Sequence, residues 1–471
     1  MIFFEQELKT LREVKKDFDF ETEELLFGFA ALTARIRQEM AEAENEIARD
    51  FVESIAPELL LPLPCRSLVE IIPSPNDNQK REIPCGSLLC SKSKNPREKP
   101  FFWRVAGNHT FNPAQKITVA KAMQDSQGFD CIEFESSGSG PWIIYINGES
   151  EFAWNLWHFI LEYSSPASKP YIVAKPQNTW ELCRDFFCFE EKFRYIYMEE
   201  LPSKIRFSKK IPKEIFSHIS AENFKLNVLP IENVFEQNLE PILINFSDIE
   251  AKIFAMEKRQ SILKLCSVLV GNAGEANFKE TQYRYNGFEK ISFANLPSDA
   301  DTLSISALVC DGNEATSLEQ GSTLQAKNSS MQMCEIYSVL KATPFLPPLG
   351  GNSLEWQILA LLQKNHLQFF EGDAMKNSLE TQLWNTQGKR NYLVQSIKSL
   401  SLENKSAVHK GCLVPAASIK IIMNLGSIDN PGILKVFGEM LFCLFKKIFI
   451  CNILVELILR IEPFGMELKW E

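Results

Sequence analysis

The stretch FVESIAPELLLPLPCRSLVEIIP, residues Phe51 to Pro73, holds the change of character that decides how this chain is read. Before it, apolar residues recur every three or four positions, at Leu25, Phe29, Leu32, Ile36, Met40, Ala43, Ile47, Phe51 and Ile55. Arg35, Arg37, Glu39, Glu42, Glu44, Glu46 and Arg49 fall between them, the pattern of an amphipathic helix. Such a helix from Leu25 to Ala56 would be roughly 48 Å long, far beyond three or four turns. Pro57, Pro62 and Pro64 then close the helical region, because proline cannot continue the hydrogen-bond ladder. Beyond them come short β-branched and aromatic runs, SLVEIIP, REIPCGSLLC, FFWRVAGNHTFNP, FDCIEFE and WIIYING, punctuated by Pro, Gly and Asn.

Working outward, the reading predicts a helix over Ser150 to Tyr163 and further strands at FRYIYMEE, KLNVLPIENVF, EPILINF and from Glu280 to Val309. The polar stretch Asp311 to Met333 reads as an exposed loop. Helical patterns return at SLEWQILALLQKNHLQFF and near DAMKNSLETQLWN. The apolar window Gly432 to Ile461 is interrupted by Lys435, Glu439, Lys446, Lys447 and Glu456, so it reads as a buried helix followed by a strand, not a membrane span. The expected fold class is therefore α+β and multidomain. A long-helix region at 1–64 would precede β-rich domains at 65–165 and 166–340, with a mixed α/β domain at 341–471.

A chain of 471 residues is too long for one core, and 45% hydrophobic with 23% charged residues is ordinary globular composition. A formal charge of −10 argues against a general nucleic-acid binder. The twelve cysteines include two C-x4-C pairs, Cys85/Cys90 and Cys183/Cys188, without the second pair or histidines that zinc would need. Glu5 and Glu7 stand where a secretory signal would be basic and then apolar.

The common catalytic motifs are missing: no phosphate-binding GxxxxGK[ST], no GxGxxG after a strand, no HExxH and no GxSxG. SSGSGP, Ser136 to Pro141, lacks the lysine and helix start of a phosphate cradle and reads as a turn. His109, His158 and His366 have no carboxylate or nucleophile at a recognisable spacing. Trp142, Tyr145, Trp154, Trp157, Tyr163 and Trp180 are concentrated in one region, as in a core or a buried interface. No catalytic residue, cofactor or metal is expected.

FFEQELKTLRE (Phe3 to Glu13), LLFGFAALTARIRQ (Leu25 to Gln38) and Phe51 to Pro73 together resemble the N-terminal signature of the TssF family, baseplate subunits of bacterial type VI secretion systems. The resemblance continues in order through Ile83 to Leu89, Trp180 to Leu201, Leu226 to Asn245 and Ala342 to Phe369, with a shortened connection at Lys15 to Glu24. It implies a non-catalytic cytoplasmic scaffold, recruited to the inner-membrane secretion complex. The implied partners are a TssG-like subunit, with two copies of this chain per TssG, a TssK-like adaptor, a TssE-like sheath initiator and the spike hub. The stripe Leu25, Phe29, Leu32, Ile36, Met40 and Ile47 is then the expected subunit interface, burying itself against helices of other subunits; the bland alternative packs it on its own β-domains. Two other readings stand beside this one: a soluble enzyme with an unrecognised site in the β-rich middle, and a receptor-like binding module using the aromatic region.

Overall fold

The computed structural model describes residues 62–75, 77, 79–91, 100–165, 170–172, 186, 188–239, 242–243, 250–252, 261–272, 278–285, 290–294, 301–327, 334–346, 376, 391–409, 412–426, 431–448 and 454–470. The chain divides into two compact units, Met1–Leu61 with Pro348–Asn385 and Pro62–Pro347 with Thr386–Glu471. Nearly every described residue belongs to the second.

That unit is organised around a closed six-stranded barrel. Its strands are β1 (Arg66–Ile72), β2 (Leu88–Ser91), β3 (Phe102–Val105), β4 (Val228–Glu232), β5 (Thr323–Ala326) and β6 (Glu335–Ser338). They run in the spatial order β1-β4-β3-β2-β5-β6, and every neighbouring pair is antiparallel. Period-two alternation fills the interior: Val69, Ile71, Leu89, Trp103, Val105, Leu229, Ile231, Leu324 and Ile336 share one buried cluster. Leu68, next to the inward Val69, faces out into a second cluster with Tyr145, Phe189, Tyr195, Val228 and Val339. Thus β1 is buried on both faces over most of its length, which is why it reads as the apolar run SLVEII.

Packed beside the barrel is a four-stranded sheet whose central strands are Trp142–Ile146 and Tyr195–Met198. Helix α1 (Ser150–Tyr163) follows the first of these and buries Ala153, Trp154, Leu156, Trp157, His158, Phe159, Ile160 and Leu161. Trp157 Nε1 donates to Tyr195 O (3.2 Å), and Tyr195 Oη donates to Val228 O (3.2 Å), tying helix to sheet and sheet to barrel. Another sheet is built on the long strands Ser261–Gly271 and Thr302–Cys310, whose Leu303, Ile305, Ala307 and Val309 enter a separate core.

The C-terminal sheet contains β7 (Ile397–His409), β8 (Cys412–Asn424), β9 (Leu454–Glu462) and β10 (Met466–Trp470), in that order. β7 and β8 form a long hairpin, whereas β8 and β9 are parallel, joined through helix α2 (Pro431–Ile448). The helix covers the face bearing Ile419, Ile421, Leu457 and Leu459, all fully buried. Its other side meets α1, where Lys435 Nζ contacts Glu162 Oε2 at 2.6 Å, and its Phe437 ring lies 5.7 Å from that of Phe186.

The α+β expectation is corrected by this architecture. Among the described residues strand predominates, and only α1 and α2 are α-helices of more than five residues. The physical reason is that these residues bury their apolar side chains by period-two alternation within sheets, with α1 and α2 as covers. The expected helical region at 1–64 lies outside the described residues except for its last three positions, which are not helical. The helical patterns at SLEWQILALLQKNHLQFF and DAMKNSLETQLWN also lie outside them, apart from Lys376. The stretch Asp311 to Met333 differs from its reading as a loop, since it contains the short 3-10 helix Gly312–Ser317 and the barrel strand β5. β5 has only four residues, and Leu324 is its one buried side chain. So short a strand leaves no periodic signal.

Gly438 of α2 lies directly against the Trp470 ring: a Cβ there would stand 2.0 Å from the ring's outer edge. Gly438→Ala should gain about 1 kcal/mol of helix propensity. Displacing an indole seated on the helix backbone should cost more, about 1–3 kcal/mol. We expect a lower melting temperature for Gly438→Ala, measured by thermal unfolding; a higher one would mean that the ring is not seated there.

Candidate assembly surfaces and buried polar sites

The groups that could carry chemistry are mostly held in packing. His158 of α1 is 7% exposed, and its ring meets Tyr163 edge-on at 6.1 Å. Burial pushes its pKa down to about 4, Lys435 and Lys209 adding to the shift and Glu162 opposing it. His109, on the strand His109–Phe111, is likewise lowered to about 4 by burial, with the Asn227 side chain pulling it back. His109 lines a cavity of about 110 Å³ with Lys80, Asn112, Gln115, Pro141 and Asn227. A site for a drug-sized molecule needs at least about 300 Å³, so this space suits waters or one small group. His366 lies outside the described residues.

Beside that cavity, SSGSGP is an exposed turn with Gly138 and Gly140 at positive φ. A Cβ on Gly138 would lie 2.7 Å from Ala114 O, so the turn needs glycine for close backbone approach as well as for conformation. Trp142, Tyr145, Trp154 and Trp157 are core residues, Tyr163 is half-buried and Trp180 lies outside the described residues. In that core sits Arg194, 2% exposed. Its Nη2 donates to Ser150 Oγ (3.1 Å) and its guanidinium lies 5.3 Å from the Trp154 ring centroid.

A second buried polar group joins three strands. Asn233, fully buried just after β4, donates through Nδ2 to Phe102 O (2.8 Å) and to Asp311 Oδ2 (2.9 Å). Its Oδ1 accepts from the Asp311 backbone N–H (2.7 Å), and its own N–H donates to Cys65 O (2.8 Å). One side chain thus links the end of β4 to β3 and to the end of the strand Thr302–Cys310. The adjacent Cys65 thiol is pushed up to about 12, chiefly by burial and then by Cys310 and Asp311, and donates to Gly312 O (3.2 Å). It is a packing cysteine, far from the thiolate a nucleophile requires.

The remaining cysteine candidates are not brought together as a ligand set. Cys85 is exposed, Cys90 and Cys188 are partly buried and Cys183 lies outside the described residues. Among the described residues no group of three His, Cys, Asp or Glu could hold a metal ion. Nor is any helix among them long and apolar enough to cross a membrane. The expected interface residues Leu25, Phe29, Leu32, Ile36, Met40 and Ile47 all lie outside the described residues. Sequence reasoning did not single out Arg194, Asn233 or Asp311, because an isolated polar residue beside a strand carries no pattern until its burial is known.

The outward face of the C-terminal sheet is charged and ordered. Glu456 accepts from Ser418 Oγ (2.7 Å) and pairs with Lys469 (2.6 Å) and Lys405 (3.7 Å). The Lys469 and Ser418 hydrogen bonds hold its carboxyl below the usual range.

A closed barrel with flanking sheets, with Cys65, His158 and Arg194 buried in its packing, defines a β-built class of protein. The family described as Type VI secretion system, TssF matches residues 6–139, 173–292 and 288–471, and the chain belongs to it. No curated protein matches the chain. Among solved structures, a chain of the type VI secretion system TssK-TssF-TssG baseplate subcomplex is similar, with a TM-score of 0.76 and 16% identity, covering 96% of this chain and 98% of that one. A chain of the baseplate complex from the type VI secretion system is also similar, with a TM-score of 0.69 and 15% identity, covering 100% and 98%. At these identities the likeness is one of fold.

Two outcomes follow from the buried groups. Asn233→Ala removes the partners of the Phe102 carbonyl and the Asp311 amide together, and should cost about 2–4 kcal/mol in urea unfolding; a loss below about 1 kcal/mol would contradict the clamp. For His158, the folded pKa lies below the unfolded value of 6.5, so its contribution is present above pH 6.5 and is lost as pH falls toward about 4. At about 1.36 kcal/mol per unit this amounts to about 3 kcal/mol. His158→Gln should therefore flatten the pH dependence of stability by close to one proton across that window, read as the difference from wild type.

Proposed function

We propose that this chain is a non-catalytic structural subunit of a type VI secretion baseplate wedge. Two copies assemble with one TssG-like subunit, and the wedge meets a TssK-like adaptor, a TssE-like sheath initiator and the spike hub. It works in the cytoplasm, recruited to the inner-membrane secretion complex. The observation that carries this reading is the family match over nearly the whole chain, reinforced by a fold shared along almost its full length with a chain from a TssK-TssF-TssG subcomplex.

The physical argument is one of division of labour. The barrel and its sheets supply a rigid body, because their apolar side chains interlock in packed clusters on both faces of β1. The stripe Leu25, Phe29, Leu32, Ile36, Met40 and Ile47 supplies an apolar seam of the kind that packs between helices. We assign it the contact with the other wedge subunits.

The test is co-expression with the TssG-like subunit of the same bacterium and a light-scattering mass of the purified complex. A mass of two copies of this chain per partner is expected. Phe29→Asp combined with Ile36→Asp should abolish the complex, since buried unpaired carboxylates cost several kcal/mol. A doubly substituted chain that is folded and still assembles would remove the seam from the interface. A monomer indifferent to the partner would overturn the wedge reading.

A further inference from the structure

β7 stands at the edge of the C-terminal sheet, thirteen residues long, with β8 as its only strand neighbour among the described residues. An edge of that length without a partner exposes a row of backbone donors and acceptors, and proteins usually blunt such edges with proline, bulges, short strands or charged side chains, of which β7 carries Lys398, Glu403 and Lys405. IKSLSLENKSAVH contains neither proline nor glycine, and its one irregularity lies at its start, between Ile397 and Ser399. The hairpin also outruns the sheet: β9 begins opposite Ala416, so the pairs from Ser406–Pro415 to His409–Cys412 have no third strand among the described residues. A two-stranded ribbon is marginal by itself and gains from another strand.

We propose that the edge of β7 away from β8 pairs antiparallel with β7 of a second copy of this chain, centred on Asn404. The charges select this arrangement. With Asn404 opposite Asn404, Glu403 stands opposite the second copy's Lys405 and Lys405 opposite its Glu403, giving two cross-strand ion pairs on the polar face. Leu400 stands opposite Val408, and the register runs from Ser399 to His409. Moving the centre to Glu403 sets Glu403 against Glu403; moving it to Lys405 sets Lys405 against Lys405. A slip of odd register turns Leu400 and Leu402 to the charged face of the neighbour. Glu403 and Lys405 can take up new partners, their side chains being 71% and 49% exposed and Lys405 lying no closer than 3.7 Å to either Glu403 or Glu456. A strand from an unrelated subunit would have no reason to match a pattern that is complementary to itself.

The inference stands on β7 alone and not on the wedge reading. The experiment is sedimentation of the full chain over a range of concentrations. Wild type should form a dimer. Glu403→Lys places two lysine pairs face to face and should weaken dimerisation about tenfold, Lys405→Glu should do the same, and the double exchange should restore wild-type association. Thermal melting of each variant checks that the fold is kept. In a second measurement, Asn404→Cys should give an oxidised dimer with a 404–404 bond, mapped by peptide mass spectrometry because the chain already has twelve cysteines. A chain that is monomeric throughout, or a dimer indifferent to single reversal, overturns the proposal. If a complex with the TssG-like subunit holds two copies while the reversals change nothing, the edge pairing falls and the wedge reading stands. If the charge exchange behaves as expected but no such complex forms, the reverse holds.

Discussion

β1 pairs on both sides with strands from distant parts of the chain, Arg66 with Glu232 along one edge and Val69 with Ser338 along the other. Much else in the described unit depends on this double pairing. It closes the barrel, and it sends Val69 and Ile71 inward and Leu68 outward into the aromatic cluster against the sheet that α1 covers. Because side chains alternate strictly, shifting β1 by one residue would exchange these two faces and disrupt both cores. Asn233 reinforces the closure, holding the end of β4 to Cys65, the residue immediately before β1. Non-local pairing of this kind carries a large loop-closure cost, which the buried clusters on both faces offset.

The polar interior has the same structural meaning. His158, Arg194 and Asn233 sit in the midst of packed residues, Asn233 and Arg194 held by hydrogen bonds and His158 by its ring contact with Tyr163. A histidine held neutral by burial and a thiol raised to about 12 are suited to stiffness. For a subunit of a secretion baseplate family, a body that does not deform is a useful property. The C-terminal sheet extends this body through α2, seated on α1 by the Lys435–Glu162 contact and on β10 by the Gly438–Trp470 contact.

Several elements are legible in the order of residues alone. α1 follows from the apolar spacing of SEFAWNLWHFILEY, and α2 with β9 from an apolar window broken by lysines and glutamates at intervals a buried helix tolerates. The apolar run at β1 and the alternation at β3 read as strands because their inward residues are large and apolar. β5 is hidden in a polar stretch, since a single inward leucine leaves no period. The fold class is misread for a related reason: helical periodicity is conspicuous in sequence, while short strands are quiet and numerous.

The sequence by itself determined local structure at these places, the absence of familiar catalytic motifs and, through ordered blocks along its length, the family. Those properties rest on spacing and on residue type, which are written along one dimension. Only the tertiary structure decided that strands from 66 to 338 close one barrel, that Asn233 and Asp311 meet, that His109 and His158 are neutral by burial, and that β7 has no second strand neighbour among the described residues. Each of these depends on which distant segments pack together, and burial and pairing are properties of neighbours in space, which no periodicity along the chain encodes.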